Sequence, residues 1–599
     1  MKQNRIDNSY LFQVNLKGMI ELLSEHIYSS PNVFVRELLQ NCIDAITSRR
    51  TIDASFAGEI NIYAEPRRIV FEDNGIGLSE DEIHNFLSVI GQSSKRDNVF
   101  EKDYIGKFGI GLLSCFVVSN EIKVETCSLI KQQALCWKGK ADGTYTIETF
   151  DAQPFAGTRV ILTPKKEWEL LFDEDELTKN ILHFGSALPV TINLIKADSK
   201  KTLVDGALPP AWLNSAGSKD ELLEYGRETF NINFLDAFRL SAQTGEIVGA
   251  AFIMPYKIQF TGAKEHKIYL KKMFLCDNAG NLFPEWASFV KCIINTNSLK
   301  PTASRESLMD NNELKTAKRE LNTVFKEYLR SLSLTDISVL EKIISIHHIY
   351  IKALAAEDTE LLQLFADYIP FETNKGVITF KSLRTYNSEI FYTPSMDDFR
   401  QIRRIAGSQG HTVINAAYSF ETELIKKMTV VFPEITISKI SPQDILSNFG
   451  ETVTDDEQFA EFAKRADKIL INNYCKAQIK RFEPQDTPAI YVASDDALNN
   501  KNIQNLASSS NPFAKTLTGI KKKEDSTPTL CFNRDNSLVN DLLDLADDTM
   551  FEAVINILYI QSLMLGNYPV NKKEMTLFND SIYKLLIMGL NNFSQKIAF

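Results

Sequence analysis

The sequence predicts an α+β multidomain protein, and three observations predict it. The chain has 599 residues, and a single hydrophobic core stops growing near ~250–300 residues, so about three to four domains are expected. Its composition, 44% hydrophobic and 24% charged, supplies apolar surface for several cores. Strand-like runs and amphipathic helical stretches alternate along the chain, with no repeat of solenoid type.

The first domain is expected over residues 1–200. Phe12–Ser48 reads as two helices. Leu16, Met19, Ile20, Leu23 and Ile27 recur at helical spacing. Pro31 cannot continue that helix and suits the start of the next, which runs from Val33 through Ala45. Strands are expected at Glu59–Ala64, Arg68–Glu72, Glu121–Cys127 and Thr158–Leu162, forming a mixed sheet with helices on one face. The domain closes near Val190–Ile195, and Lys196–Pro210 reads as a linker.

A second, α/β domain is expected over residues 211–465. Its strands are predicted at Gly249–Met254, Lys267–Phe274, Ile390–Thr393 and Thr429–Phe432, and its helices at Leu314–Leu332 and Phe420–Lys427. A mostly polar helical stretch, Glu457–Ile479, leads into a third, α+β domain over residues 466–599. That domain carries a loose segment at Ser508–Thr527, a strand at Thr529–Asn533 and helices at Val539–Leu565 and Asn579–Leu590. Phe551–Leu565 is apolar almost all round, which suits either a core helix of its own chain or a helix buried between subunits.

Charge and cysteine usage exclude several function classes. The net charge of −11 repels a phosphate backbone, so nucleic acid is not an expected partner. Lys521, Lys522 and Lys523 read as a solvated loop. The longest apolar run is too short and too polar to span a bilayer, and Met1–Asn8 has no signal-peptide core, so a cytoplasmic protein without membrane association is expected. The eight cysteines show no CxxC spacing, which argues against a zinc site or a disulfide framework.

Four short motifs carry the chemistry. In Arg36-Glu37-Leu38-Leu39-Gln40-Asn41-Cys42-Ile43-Asp44-Ala45, Glu37, Asn41 and Asp44 share one helical face, as a metal–phosphate site on a helix requires. In Glu72-Asp73-Asn74-Gly75-Ile76-Gly77, the glycines let backbone approach a ligand, and Asp73 at the strand end is placed to accept a hydrogen bond from an exocyclic amine. Gly106-Lys107-Phe108-Gly109-Ile110-Gly111 opens an apolar helix, where exposed amide N–H groups suit phosphates. Gly157-Thr158 opens a strand. Singly, the first three read as well as a solvent-facing polar stripe, a tight turn capped by Ser79 and a hinge loop. No Gly-x-x-x-x-Gly-Lys-Ser/Thr or His-Glu-x-x-His occurs, so neither a P-loop ATPase nor a zincin is indicated.

In this order and spacing the motifs resemble the GHKL ATPase superfamily of gyrase, heat-shock chaperone, histidine kinase and MutL proteins. The resemblance implies an N-terminal α/β sandwich that binds ATP under a mobile lid. It makes Glu37 the general base, Asn41 the ligand of Mg²⁺, Asp73 the acceptor for the adenine amine and Gly77 part of the adenine pocket. Gly106, Gly109 and Gly111 would wrap the phosphates, and Thr158 would support the adenine end. Asp44, Ala45, Leu78, Lys95, Lys107, Phe108 and Ile110 complete the implied nucleotide contacts.

The rest of the chain resembles the heat shock protein 90 chaperone family. Ile27-Tyr28-Ser29-Ser30 precedes Phe34-Val35-Arg36-Glu37-Leu38; Ile268 to Phe274, Asp277-Asn278 and Leu282 to Trp286 follow in family order; and Ser304-Arg305-Glu306-Ser307-Leu308 matches the catalytic loop. Arg305 inherits the role of reaching the γ-phosphate. Phe532 to Val539 followed by an apolar helix resembles the dimerisation domain. A bacterial HtpG-type member is implied, departing from the usual pattern at Phe86, Gln92, Lys107, Leu112 and Met309 and with a short lid. The expected function is that of an ATP-dependent homodimeric chaperone, paired through C-terminal helices and acting on unfolded or partly folded clients. The alternatives are a nucleotide-binding scaffold with little turnover and a MutL- or gyrase-like DNA-processing ATPase.

Overall fold

Pro31 and Asn32 form a turn, and the chain then enters a helix over Val33–Ile52 that closes on Arg49 and Arg50, basic groups suited to a helix C-terminus. This computed structural model describes residues 30–65, 67–87, 111–150, 156–196, 199–258, 265–277, 282–302, 305–386, 389–442, 444, 457–493, 496–501, 527–566 and 568–597. The first expected helix, before Pro31, lies outside them, as does most of Ser508–Thr527. Two compact units make up the chain, Met1–His347 and His348–Phe599.

In the first unit, eight strands form one sheet: β1 (Glu59–Glu65), β2 (Arg68–Asp73), β3 (Ser119–Cys127), β4 (Ala134–Lys140), β5 (Tyr145–Thr149), β6 (Gly157–Pro164), β7 (Thr191–Lys196) and β8 (Ser199–Val204). Their order is β5-β4-β3-β6-β2-β1-β7-β8. β1 runs parallel to β7 and antiparallel to β2, so the sheet is mixed as expected. The expected linker at Lys196–Pro210 is corrected: Ser199–Val204 pairs antiparallel with β7 as an edge strand. Three of its residues are lysine or serine, and such a polar edge strand carries no hydrophobic alternation to read.

A second sheet follows in the same unit, with β9 (Asp236–Ala242), β10 (Ile247–Ile253), β11 (Lys267–Leu270), β12 (Met273–Cys276) and β13 (Val290–Thr296) in the order β12-β11-β13-β10-β9. The single strand expected at Lys267–Phe274 is a hairpin. Lys271 and Lys272 turn it at φ 51° and 68°, a conformation that glycine or asparagine usually supplies. Both sheets contribute to one core, joined where Phe274 of β12 meets His183 of the Glu174–Gly185 helix at 4.3 Å between ring centres. The Asn312–Thr335 helix buries Leu314, Ala317, Leu321, Phe325, Leu329 and Leu332 on one stripe and is capped by Asn311.

The second unit holds β14 (Pro370–Thr373), β15 (Gly376–Thr379), β16 (Glu389–Thr393), β17 (Val413–Asn415) and β18 (Thr436–Lys439) in the order β15-β14-β17-β16-β18, and β19 (Lys476–Lys480), β20 (Ala489–Val492) and β21 (Thr529–Asn533) in the order β19-β21-β20. The strand expected at Thr429–Phe432 is the end of a helix, Glu421–Val431, and the strand comes later, at β18. The helix expected over Glu457–Ile479 stops at Leu470, and its last residues form β19. Val539–Leu565 is two helices, Ser537–Leu543 and Asp548–Leu565, the second restarted by Asp547 as N-cap. Asp548–Leu565 supplies Phe551, Ile555, Leu558, Tyr559 and Leu563 to the core of its own unit. The last helix, Lys572–Ile597, is longer than expected.

Candidate functional site

Strand register builds one wall of the site. Side chains alternate along a strand, so Ile69, Phe71 and Asp73 of β2 face the same core. Asp73 pairs with Thr158 of β6, and Thr158 pairs with Thr126 of β3. Three polar groups thus form a row at one end of an otherwise apolar face. The Thr126 and Thr158 hydroxyls lie 3.0 Å apart, and the Leu78 N–H donates to Thr126 Oγ1 at 2.9 Å. Thr126, which the motifs did not single out, links the Gly75–Leu78 turn to β6.

Asp73 is buried, and its Oδ1 accepts from the Gly75 N–H at 2.8 Å. Burial pushes its carboxyl up to about 7, against hydrogen bonds from Gly75, the Cys42 thiol and Thr158 that favour the anion. The glycines of this turn are needed for space. At Gly77, φ is +68° and a Cβ would stand 2.0 Å from the Cys127 carbonyl oxygen. At Gly75 a Cβ would meet Ala45 Cβ at 2.6 Å. Arg49 pins the turn by donating to the Asn74 carbonyl at 2.7 Å, a role that nothing in the motif spacing revealed. Ser79 does cap the helix that follows, with Glu82 closing the box, so the turn is both capped and beside the site.

The Val33–Ile52 helix forms the other wall. Glu37 and Asp44 are buried and Asn41 is exposed, so the acidic face is not a solvent-facing stripe. Glu37 sits between two guanidinium groups. Arg36 donates to its Oε1 at 3.3 Å through both Nε and Nη2. Arg305 Nη1 donates to Oε2 at 3.1 Å and to Oε1 at 3.3 Å, and also to Gln40 Oε1. Arg305 lies 268 residues from Glu37 in sequence, yet in the same compact unit. Its backbone is left-handed, at φ 56°. In this structure Arg305 is thus engaged with the carboxylate, where the family resemblance implied a phosphate.

Gly111 opens a tight turn, Gly111–Ser114, and a Cβ there would lie 2.4 Å from Glu37 Oε2. The rest of the expected phosphate loop, Gly106, Lys107, Phe108, Gly109 and Ile110, lies outside the described residues, as do Lys95 and Gln92. Glu37, Arg305, Asn41, Asp44, Ala45, Asp73, Gly77, Leu78, Gly111 and Thr158 are all described, on the two walls and at their junction.

Comparison with known proteins bears on the whole chain. Residues 28–165 match the family described as histidine kinase-, DNA gyrase B- and HSP90-like ATPase. Residues 254–598, more than half of the chain, match the family described as Hsp90 protein. The chain belongs to the Hsp90 protein family. Similar relatives include the chaperone protein HtpG of Idiomarina loihiensis, 23% identical over 90% of this chain and 93% of the relative. HtpG of Legionella pneumophila strain Paris is 23% identical over 92% and 95%, and that of Buchnera aphidicola subsp. Cinara cedri is 24% identical over 94% and 96%.

As an Hsp90-family protein with a GHKL-type ATPase domain, the chain is an ATP-dependent molecular chaperone that hydrolyses ATP. Neither the scaffold nor the DNA-processing alternative is favoured: the Hsp90 match extends far beyond the motifs shared with gyrase, and the relatives similar along nearly the whole chain are chaperones. No described helix is long and apolar enough to cross a membrane, and no described cluster of three or more His, Cys, Asp or Glu could hold a metal by itself.

Proposed function

We propose that the two walls hold ATP with its adenine at the Asp73–Thr158 row and its phosphates toward Glu37 and Gly111. The observation that carries this reading is the convergence of Arg305 on Glu37 beside the glycine turn at Gly111. Glu37 orients the attacking water and accepts its proton as the water oxygen bonds the γ-phosphorus and ADP leaves. Arg305 moves from the carboxylate to the γ-phosphate and neutralises charge developing there. Lys95, Gly106, Lys107, Phe108, Gly109 and Ile110 would complete the phosphate side, and Asp44, Ala45, Gly77 and Leu78 the adenine side.

Mg²⁺ fits this site as an ion shared with the nucleotide. Asn41 is exposed and carries an amide oxygen, while Glu37 is engaged by arginines, and a hard cation that keeps water and phosphate oxygens needs few protein ligands. Asn41 would hold the ion, which supplies charge neutralisation along the phosphates.

The same reading divides the chain into an ATP-binding domain over 1–200, a middle domain over 211–465 and a dimerisation domain over 466–599. Tyr583, Leu586, Ile587 and Leu590 stand exposed at i, i+3, i+4 and i+7 on the last helix, a stripe suited to pairing two copies as a homodimer. Nucleotide turnover in a cytoplasmic dimer would open and close the N-terminal halves around unfolded or partly folded clients, as in a stress response.

ATP turnover by wild type and Glu37→Ala, with nucleotide binding by calorimetry, tests the reading. The variant is expected to bind ATP and lose turnover by about 100-fold or more. Equal rates near background in both proteins would refute the assignment.

A further inference from the structure

Gln40 lies one turn beyond Arg36 and Glu37 on the Val33–Ile52 helix and is only 2% exposed. A side-chain amide taken out of water must find partners, and Gln40 Oε1 finds Arg305 Nη1. That same nitrogen donates to both oxygens of Glu37. One guanidinium nitrogen is therefore shared between a carboxylate and a neutral amide.

The backbone behind that guanidinium is fixed. The Arg305 N–H donates to the Thr302 carbonyl at 3.0 Å, and the Thr302 N–H donates to the Ser307 carbonyl at 2.9 Å. The Arg305 carbonyl accepts from Arg36 Nη1 at 3.3 Å. With the Arg305 backbone bonded at both its N–H and its carbonyl, the direction of the guanidinium is set by side-chain rotation, and Gln40 is a neutral acceptor among the groups that choose it.

We propose that Gln40 is a positioning residue that holds Arg305 on Glu37 and so sets how readily Arg305 passes to the terminal phosphate of a nucleotide. The proposal rests on the reading of Arg305 as the phosphate clamp. A hydrogen bond to a neutral amide is weaker than one to a carboxylate. Charge at this position therefore tunes the exchange: Gln40→Glu tightens the hold on Arg305, and Gln40→Ala loosens it.

The test is single-turnover ATP hydrolysis, with KM and melting temperature, on the full chain as wild type, Gln40→Ala, Gln40→Glu, Arg305→Ala and Gln40→Ala/Arg305→Ala. Gln40→Ala is expected to raise the hydrolysis rate and Gln40→Glu to lower it, each by about three- to tenfold, with KM within about twofold. In the Arg305→Ala background, Gln40→Ala is expected to leave the rate unchanged and to lower the melting temperature by less than in wild type. Equal rate changes in both backgrounds, or rate changes of the same sign for Gln40→Ala and Gln40→Glu, would overturn the proposal while leaving the clamp intact. An unchanged rate in Arg305→Ala alone would overturn the clamp reading and the proposal with it.

Discussion

Glu37 and Glu421 are both carboxylates withdrawn from water, and both face a cation, but their surroundings differ. Glu421 pairs with Lys352, which is as deeply buried, while its Oε2 has no hydrogen-bond partner. Burial pushes the Glu421 carboxyl up and the Lys352 ammonium down, desolvation being the first cause in each. Glu37 instead has both oxygens bonded by arginines, one of them on a loop with left-handed backbone. A lone lysine with an orphaned oxygen is an arrangement that apolar groups can replace. A carboxylate gripped by two planar guanidinium groups, one of them from 268 residues away, is geometry that chemistry uses.

The largest expected effect tests the first half of that contrast. Lys352→Met leaves Glu421 buried without its cation and should destabilise the second unit by about 3–5 kcal/mol. Lys352→Met with Glu421→Leu removes both charges and should return stability to within about 1 kcal/mol of wild type, or above it. Calorimetric melting of the three proteins decides this. A double variant as unstable as the single one would show that the pair contributes more than mutual compensation.

Sequence legibility follows the same division between local and long-range. The Val33–Ile52 helix, β1, β2, β6 and β21 were readable because their hydrophobic periodicity is local. β8 and the Lys271–Lys272 turn were not, because an edge strand of lysines and a turn without glycine carry no local signature. Thr429–Phe432 reads as a strand from its β-branched residues, yet packing of Leu424, Ile425 and Met428 carries the helix through Val431. Of the candidate site, Glu37, Asp73 and Arg305 were singled out through family resemblance. Arg36, Gln40, Arg49 and Thr126 were not, because the partners that place them, such as the Arg305 carbonyl for Arg36, are set by tertiary contacts and strand register. Lys352 and Glu421, 69 residues apart, illustrate the same limit.

On the other wall of the site Asp73 is a third buried carboxylate, held by hydrogen bonds and by no cation among the described residues. Its carboxyl is raised to about 7 from an ordinary value of 3.8. The sign follows from that direction. The fold favours the protonated form, so its stability contribution is full below the ordinary value and is lost as pH rises from there through about 7. If Asp73 accepts the adenine amine as proposed, nucleotide binding runs the other way, since an anion accepts that hydrogen bond more strongly than a neutral acid. Affinity for ATP should therefore rise between pH 6 and 8, by at most about tenfold per unit below 7, then level off. Calorimetry at each pH with Asp73→Asn as reference removes the titration of the nucleotide itself. A parallel slope in the variant would show that Asp73 does not carry the dependence.

The smallest effect sharpens the comparison at Glu37 itself. A Cβ at Gly111 would stand 2.4 Å from Glu37 Oε2, whereas at Gly157 it would stand 2.1 Å from the Asp73 carbonyl oxygen at φ +139°. Gly157→Ala therefore strains backbone in the sheet and should lower the melting temperature. The atoms nearest a Cβ at Gly111, among the described residues, belong to the Glu37 side chain and not to backbone, so the fold should tolerate Gly111→Ala. The carboxylate, however, is gripped by Arg36 and Arg305 and cannot swing aside without disturbing them. Turnover in Gly111→Ala should fall about three- to tenfold through misplacement of the proposed base, with the melting temperature within about 2 °C of wild type. In a Glu37→Ala background the same substitution should change nothing, because the group it displaces is gone. An equal loss in both backgrounds would place the effect in the turn rather than at the carboxylate.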